Sequence, residues 1–269
     1  MEIAIFVIIN LSANKINHIF TILKDNFSRI KLTNINEVEF MRYRVIGEGL
    51  PVVILNLDRG ETIITESGGM SWMTDGIEMS TNMEGGLFKG IARAFGGESV
   101  FLTRYTSIRD NSEIAFSSSF PGKIIPINLS NGQSIICQKH AFLCGESTIK
   151  LDVIFTKKLG AGFFGGEGFI LQKITGPGMC FLEIDGEAVE YNLAPGEILK
   201  VDTGHVAAFE PSVSYDIVTV KGFKNIFFGG EGLFLTELRG PGKVILQSLP
   251  IQNLAREIIP YIPVKHNHD

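Results

Sequence analysis

The chain has 269 residues, enough to bury a full core, with 29 acidic against 24 basic residues and a net charge of -5. That balance, with no basic run to offset it, argues against a nucleic-acid partner, whose phosphates reward clustered Lys and Arg. Three cysteines are an odd, sparse set that reads as free thiols, and no apolar run approaches the ~18 residues of a membrane span.

Residues 1–40 differ from the rest: they are rich in Ile and Asn and hold none of the thirty Gly or ten Pro. Two readings stand. One is an atypical N-terminal extension, a short strand over 2–11 and a helix over 13–27. The other is upstream sequence ahead of a true start at Met41. The apolar run 4–11 follows Glu2 rather than a basic region, and no small-residue cleavage site follows it, so it does not read as a signal peptide. A cytoplasmic location is expected.

From Met41 to Ile262 the chain repeats itself. Leu57-Asp58-Arg59-Gly60-Glu61 returns as Leu129-Ser130-Asn131-Gly132-Gln133 and as Leu193-Ala194-Pro195-Gly196-Glu197. A second phrase, Phe95-Gly96-Gly97-Glu98, returns as Phe164-Gly165-Gly166-Glu167 and Phe228-Gly229-Gly230-Glu231. Paired glycines supply the positive φ of hairpin turns. Gly176-Pro177-Gly178 and Gly240-Pro241-Gly242 are further turns. Between them, 52–57 and 124–129 are short apolar runs, and 149–155 and 213–220 alternate with period two, so all four are predicted strands. Helices are predicted only over 87–94 and, behind Asn253 as N-cap, over 254–261; residues 263–269 form a polar tail. The expected fold is all-β: three repeated units in a double-stranded β-helix or β-sandwich, with pseudo-threefold symmetry and a short C-terminal helix.

Further motifs extend the pattern. They are Gly85-Gly86-Leu87-Phe88-Lys89-Gly90, Leu159-Gly160-Ala161-Gly162-Phe163-Phe164-Gly165-Gly166-Glu167-Gly168, Val201-Asp202-Thr203-Gly204-His205 and Phe227-Phe228-Gly229-Gly230-Glu231-Gly232-Leu233-Phe234. Over about residues 42–262 the chain resembles the "altered inheritance of mitochondria" family of mitochondrial-biogenesis proteins and its bacterial relatives. The resemblance implies a fold like that of the tryptophan-RNA-binding attenuator protein, with repeats about a pseudo-threefold axis. It brings no catalytic residues with it.

The residues themselves offer three leads. His140 and His205 are the only histidines inside the repeats and fall near the same place in their units; Cys137, His140 and Cys144 have a spacing that a metal site uses, as do ordinary buried cysteines. Glu98, Glu167 and Glu231 either lock their Gly-Gly turns by accepting backbone N–H bonds or ring an axis and hold a cation. Phe88, Phe95, Phe163, Phe164, Phe227 and Phe228 sit in glycine-rich segments and either pack together in the core or form one exposed interaction patch. No nucleophile elbow, phosphate loop or paired-histidine zinc motif occurs, and no cofactor is expected. The expected role is therefore a non-enzymatic scaffold. It would assemble with itself, or dock on a protein partner or membrane surface, through the Phe/Gly turns. The alternative is a small-molecule or metal-binding protein using the interior around His140 and His205.

Overall fold

The computed structural model describes residues 41–66, 68–81, 102–157, 169–219 and 234–262. Nearly all regular structure there is β-strand. After a leading strand β1 (Arg42–Ile46), the strands fall into three sets of six. The first is β2 (Val52–Leu57), β3 (Thr62–Glu66), β4 (Trp72–Met73), β5 (Ile77–Thr81), β6 (Leu102–Ser107) and β7 (Ser112–Ser117). The second is β8 (Gly122–Leu129), β9 (Ser134–Gln138), β10 (Phe142–Glu146), β11 (Lys150–Lys157), β12 (Phe169–Thr175) and β13 (Gly178–Asp185). The third is β14 (Ala188–Leu193), β15 (Ile198–Asp202), β16 (Val206–Phe209), β17 (Ser214–Thr219), β18 (Phe234–Arg239) and β19 (Gly242–Gln247).

One antiparallel pairing scheme recurs in each set. The first strand pairs with the sixth and the second with the fifth. The third pairs with the sixth and the fourth with the fifth. Adjacent sets meet at a seam. At the first, Gly145 and Glu146 of β10 face Ile64 and Ile63 of β3; at the second, Ala208 and Phe209 of β16 face Cys137 and Ile136 of β9. Each seam joins two half-sheets into a six-stranded sheet. The remaining halves stand as separate sheets, β1-β2-β7-β4 and β15-β18-β17.

The Leu-x-x-Gly-[Glu/Gln] phrase has a local physical cause. Gly60, Gly132 and Gly196 hold φ of +87°, +80° and +80°, values that side-chain-bearing residues rarely adopt. The residue after each glycine then folds its side chain back. Glu61 Oε2 accepts from the Asp58 amide at 2.8 Å, Gln133 Oε1 from the Ser130 amide at 2.9 Å, and Glu197 Oε2 from the Ala194 amide at 2.8 Å. Three backbone donors that the turn leaves unpaired are thereby satisfied. This turn-locking role is one that the sequence reading assigned to the other phrase.

The apolar alternation of the strands fills the core. Around the first seam Leu55, Ile63, Phe116, Leu143 and Phe181 pack together with Met41 and Tyr43 of the leading segment, and a central cluster joins all three sets through Ile64, Cys137, Leu182, Ala208 and Ile245. Around the second seam Leu171, Val206, Phe209, Leu238 and Val244 pack, from the second and third sets only. The C-terminal helix α1 spans Ile251–Ile258 and continues as a 3-10 turn, Ile259–Tyr261. It begins at Ile251, ahead of the expected Leu254, and Pro250 rather than Asn253 holds the N-cap position. Its first amide is capped from a distance, by Asp185 Oδ2 at 2.9 Å, which sequence proximity does not reveal. The helix predicted over 87–94 and the readings of residues 1–40 and 263–269 lie outside the described residues.

Candidate functional site

The proposed interaction patch, Phe88, Phe95, Phe163, Phe164, Phe227 and Phe228, lies outside the described residues, as do Glu98, Glu167 and Glu231. The two histidines are described, and they do different things. His140 stands exposed on the 3-10 turn Lys139–Ala141 that follows β9. His205 ends the matching turn, Thr203–His205, after β15. Its Nδ1 donates to the Gln247 carbonyl at 2.8 Å, and its Nε2 lies 3.3 Å from Asn253 Nδ2. A ring with both nitrogens so engaged fastens α1 to β19.

Cys137, Cys144 and Cys180 are free and buried. Burial pushes all three thiols up, Cys180 to about 12, so they are neutral core groups. His140, exposed, does not join them. Among the described residues no group of three His, Cys, Asp or Glu is placed to hold a metal ion.

What does converge near His140 is a cleft of about 520 Å³ at the end of the first seam, flanked by α1. Thr65 and Glu66 at the end of β3 form one wall, and Glu183 and Asp185 at the end of β13 another. Lys139 and His140, Phe120 and Phe142, and Ile251 and Gln252 of the helix complete it. Glu66 Oε1 accepts from Nε2 of the fully buried Gln172 at 2.7 Å. Glu183 accepts from the Ser119 amide at 2.7 Å and from the hydroxyls of Ser118 and Ser119. Even so, desolvation raises the Glu183 carboxyl above its ordinary value. Desolvation raises Asp185 too, while the Ile251 amide and His140 pull it back. Three carboxylates from two distant strands, a lysine and a histidine thus share one partly apolar cleft. The sequence reading found only His140 there. The missed signal is Glu183-x-Asp185 at the end of an otherwise apolar strand, where period-two spacing puts both side chains on one face.

A raised carboxyl has a linkage consequence. Folded Glu183 keeps its proton to higher pH than the unfolded chain does, so stability falls as pH rises above the ordinary carboxylate range and is unaffected below it. Glu183→Gln removes that penalty. Thermal melts should coincide with wild type below about pH 4, and the variant should melt higher near pH 7. Equal melts at both would show that the carboxylate is not penalised.

A second feature is two of the sheet edges. Among the described residues β4 pairs only with β7, and β15 only with β18, so each lacks the seam partner that its counterparts in the other sets have. Trp72 is 50% exposed, Met73 36% and Ile198 42%. Unpaired edge strands carrying apolar side chains are templates for further pairing. No helix among the described residues is long and apolar enough to cross a membrane.

With the geometry described, the comparisons with known proteins fall into place. An uncharacterized protein of Streptococcus pyogenes serotype M6 is 29% identical over 227 residues, covering 81% of this chain and 89% of that protein. An X-ray structure of a Streptococcus pyogenes protein matches with a TM-score of 0.66 at 25% identity, covering 82% of this chain and 100% of that one. The family model described as Mitochondrial biogenesis AIM24 matches residues 43–249. The all-β chain described above belongs to the Mitochondrial biogenesis AIM24 family.

Proposed function

We propose that this protein is a non-enzymatic scaffold, built from three copies of one strand unit, that works by assembling with itself. The observation that carries this reading is that β4 and β15, alone of their kind, have no seam partner among the described residues, with Trp72, Met73 and Ile198 exposed on them. Native mass spectrometry should give a multiple of the chain mass. Replacing Trp72 and Ile198 together with Lys should return it to one chain, because charge on an edge opposes strand addition. Both side chains are exposed in the single chain, so circular dichroism of the variant should keep the β-sheet spectrum of the wild type. A wild-type monomer at micromolar concentration would sink the reading. The Phe/Gly turns are a second surface for docking on a protein partner or membrane, and the same mass measurement on Phe164→Ser with Phe228→Ser tests it. A cytoplasmic location is part of the reading, and cell fractionation checks it.

A second reading, small-molecule binding, is favoured by the cleft beside His140. Mass spectrometry of protein denatured after gentle purification tests it: a stoichiometric released molecule would support it, and none would count against it.

A further inference from the structure

We infer that Asn131 is a site of spontaneous deamidation, in which the Gly132 backbone nitrogen closes on the Asn131 side chain and converts it to aspartate or isoaspartate. The Leu-x-x-Gly-[Glu/Gln] turn of the second set is thereby a modification site, which its two counterparts are not.

The reaction needs a side-chain amide directly ahead of a backbone nitrogen that nothing crowds. Glycine presents that nitrogen with no Cβ beside it. Asn131-Gly132 is the one Asn-Gly step in the chain. The equivalent turns hold Arg59-Gly60 and Pro195-Gly196, and neither arginine nor proline has an amide side chain to react.

The fold leaves the pair open to this chemistry. Asn131 and Gly132 are both exposed. A Cβ built on Gly132 meets nothing within 4 Å, so a ring has room to form. The glycine amide also differs among the three turns. The Gly60 amide donates to the Ser107 carbonyl at 2.7 Å, and the Gly196 amide to the Gly240 carbonyl at 3.2 Å. Gly176 is the matching residue in the second set: its amide donates to the Gln133 carbonyl as the Ser107 amide does to Glu61 and the Gly240 amide to Glu197. The return bond from the Gly132 amide to Gly176 is missing, and that amide has no backbone acceptor among the described residues. Its nitrogen breaks no such bond in turning on the Asn131 side chain. Asn111-Ser112 is the internal contrast: Ser112 is buried and stands opposite Leu57 in the β2–β7 ladder.

The step balances with water as the only co-reactant. The Gly132 nitrogen forms a bond to Asn131 Cγ, and the Cγ–Nδ2 bond breaks. Its electron pair leaves with Nδ2 as ammonia, which carries off the proton that the Gly132 nitrogen gives up. Water then opens the cyclic imide at Cγ, giving aspartate, or at the Asn131 main-chain carbonyl, giving isoaspartate. Both products add a negative charge. Isoaspartate also inserts a methylene into the main chain between Ser130 and Gln133. The turn is held there by two bonds, the Gln133 amide to the Ser130 carbonyl at 3.0 Å and the Ser130 amide to Gln133 Oε1 at 2.9 Å, and a longer chain pulls them apart.

Peptide mapping by mass spectrometry tests this. Folded protein held for days at mildly alkaline pH should lose most of its Asn131 amide, to aspartate and a larger share of isoaspartate. The loss should speed up as pH rises, because the attacking nitrogen must shed its proton. Gly132→Ala, checked as folded by circular dichroism, should keep most of the amide over the same period, since a Cβ hinders ring closure. Asn111 should stay intact. If the folded protein keeps Asn131 while a urea-unfolded sample loses it, the fold shields the pair and the inference is overturned. Equal loss at Asn111 and Asn131 would overturn it as well, since the open Gly132 amide would then not select the site.

Discussion

Gly122→Ala should destabilise the protein by roughly 3 kcal/mol, lowering its urea midpoint without changing the slope. Gly122 opens β8 opposite Asp185. A Cβ built there collides with the Ile184 carbonyl oxygen and stands 2.9 Å from the Gly186 nitrogen. Both are backbone atoms held in place: the Gly122 amide donates to the Gly49 carbonyl at 2.9 Å, and the Gly186 amide to the Pro121 carbonyl at 2.8 Å. No side chain can swing away, so the strand end itself must move, and Asp185 with its bond to the first helical amide moves with it. Gly132→Ala is the control. That glycine has positive φ but open space around it, so its cost is backbone strain alone, about 1 kcal/mol. If the two variants lose equal stability, close approach is not what requires glycine at position 122.

Phe181→Ala should cost about 4 kcal/mol and lower the melting temperature by roughly 10 °C. The ring is fully buried in the cluster at the first seam, on β13 between β10 and β8. Tyr43 meets it edge-on with centroids 5.0 Å apart, a geometry that adds to simple burial. By strand register the matching positions in the other sets hold Ala115 and Ile245, so the three sets of strands do not share one core volume. A small residue is accommodated in the first set because its surroundings are built for it; at Phe181 the same truncation leaves a cavity. A loss under about 1 kcal/mol would mean that the site collapses around the missing ring.

Much of this molecule was determined by the sequence alone, and for local reasons. The Leu-x-x-Gly-[Glu/Gln] phrase marks the same turn three times because a glycine and a back-bonding side chain three residues from its donor are enough to build it. Period-two alternation marks β11 and β17 because one face of each must be buried. The family, too, was legible from its ordered glycine motifs. Only the tertiary structure decided the rest. Seams are made by backbone groups, which every residue carries, so nothing in Trp72 or Lys200 announces an open edge. The cleft draws Glu66, Glu183 and Asp185 from strands far apart in the chain, and what raises two of these carboxyls is desolvation, a property of the folded surroundings. The start of α1 was misplaced for the same reason: its cap is Asp185, remote in sequence and adjacent only once β13 is folded.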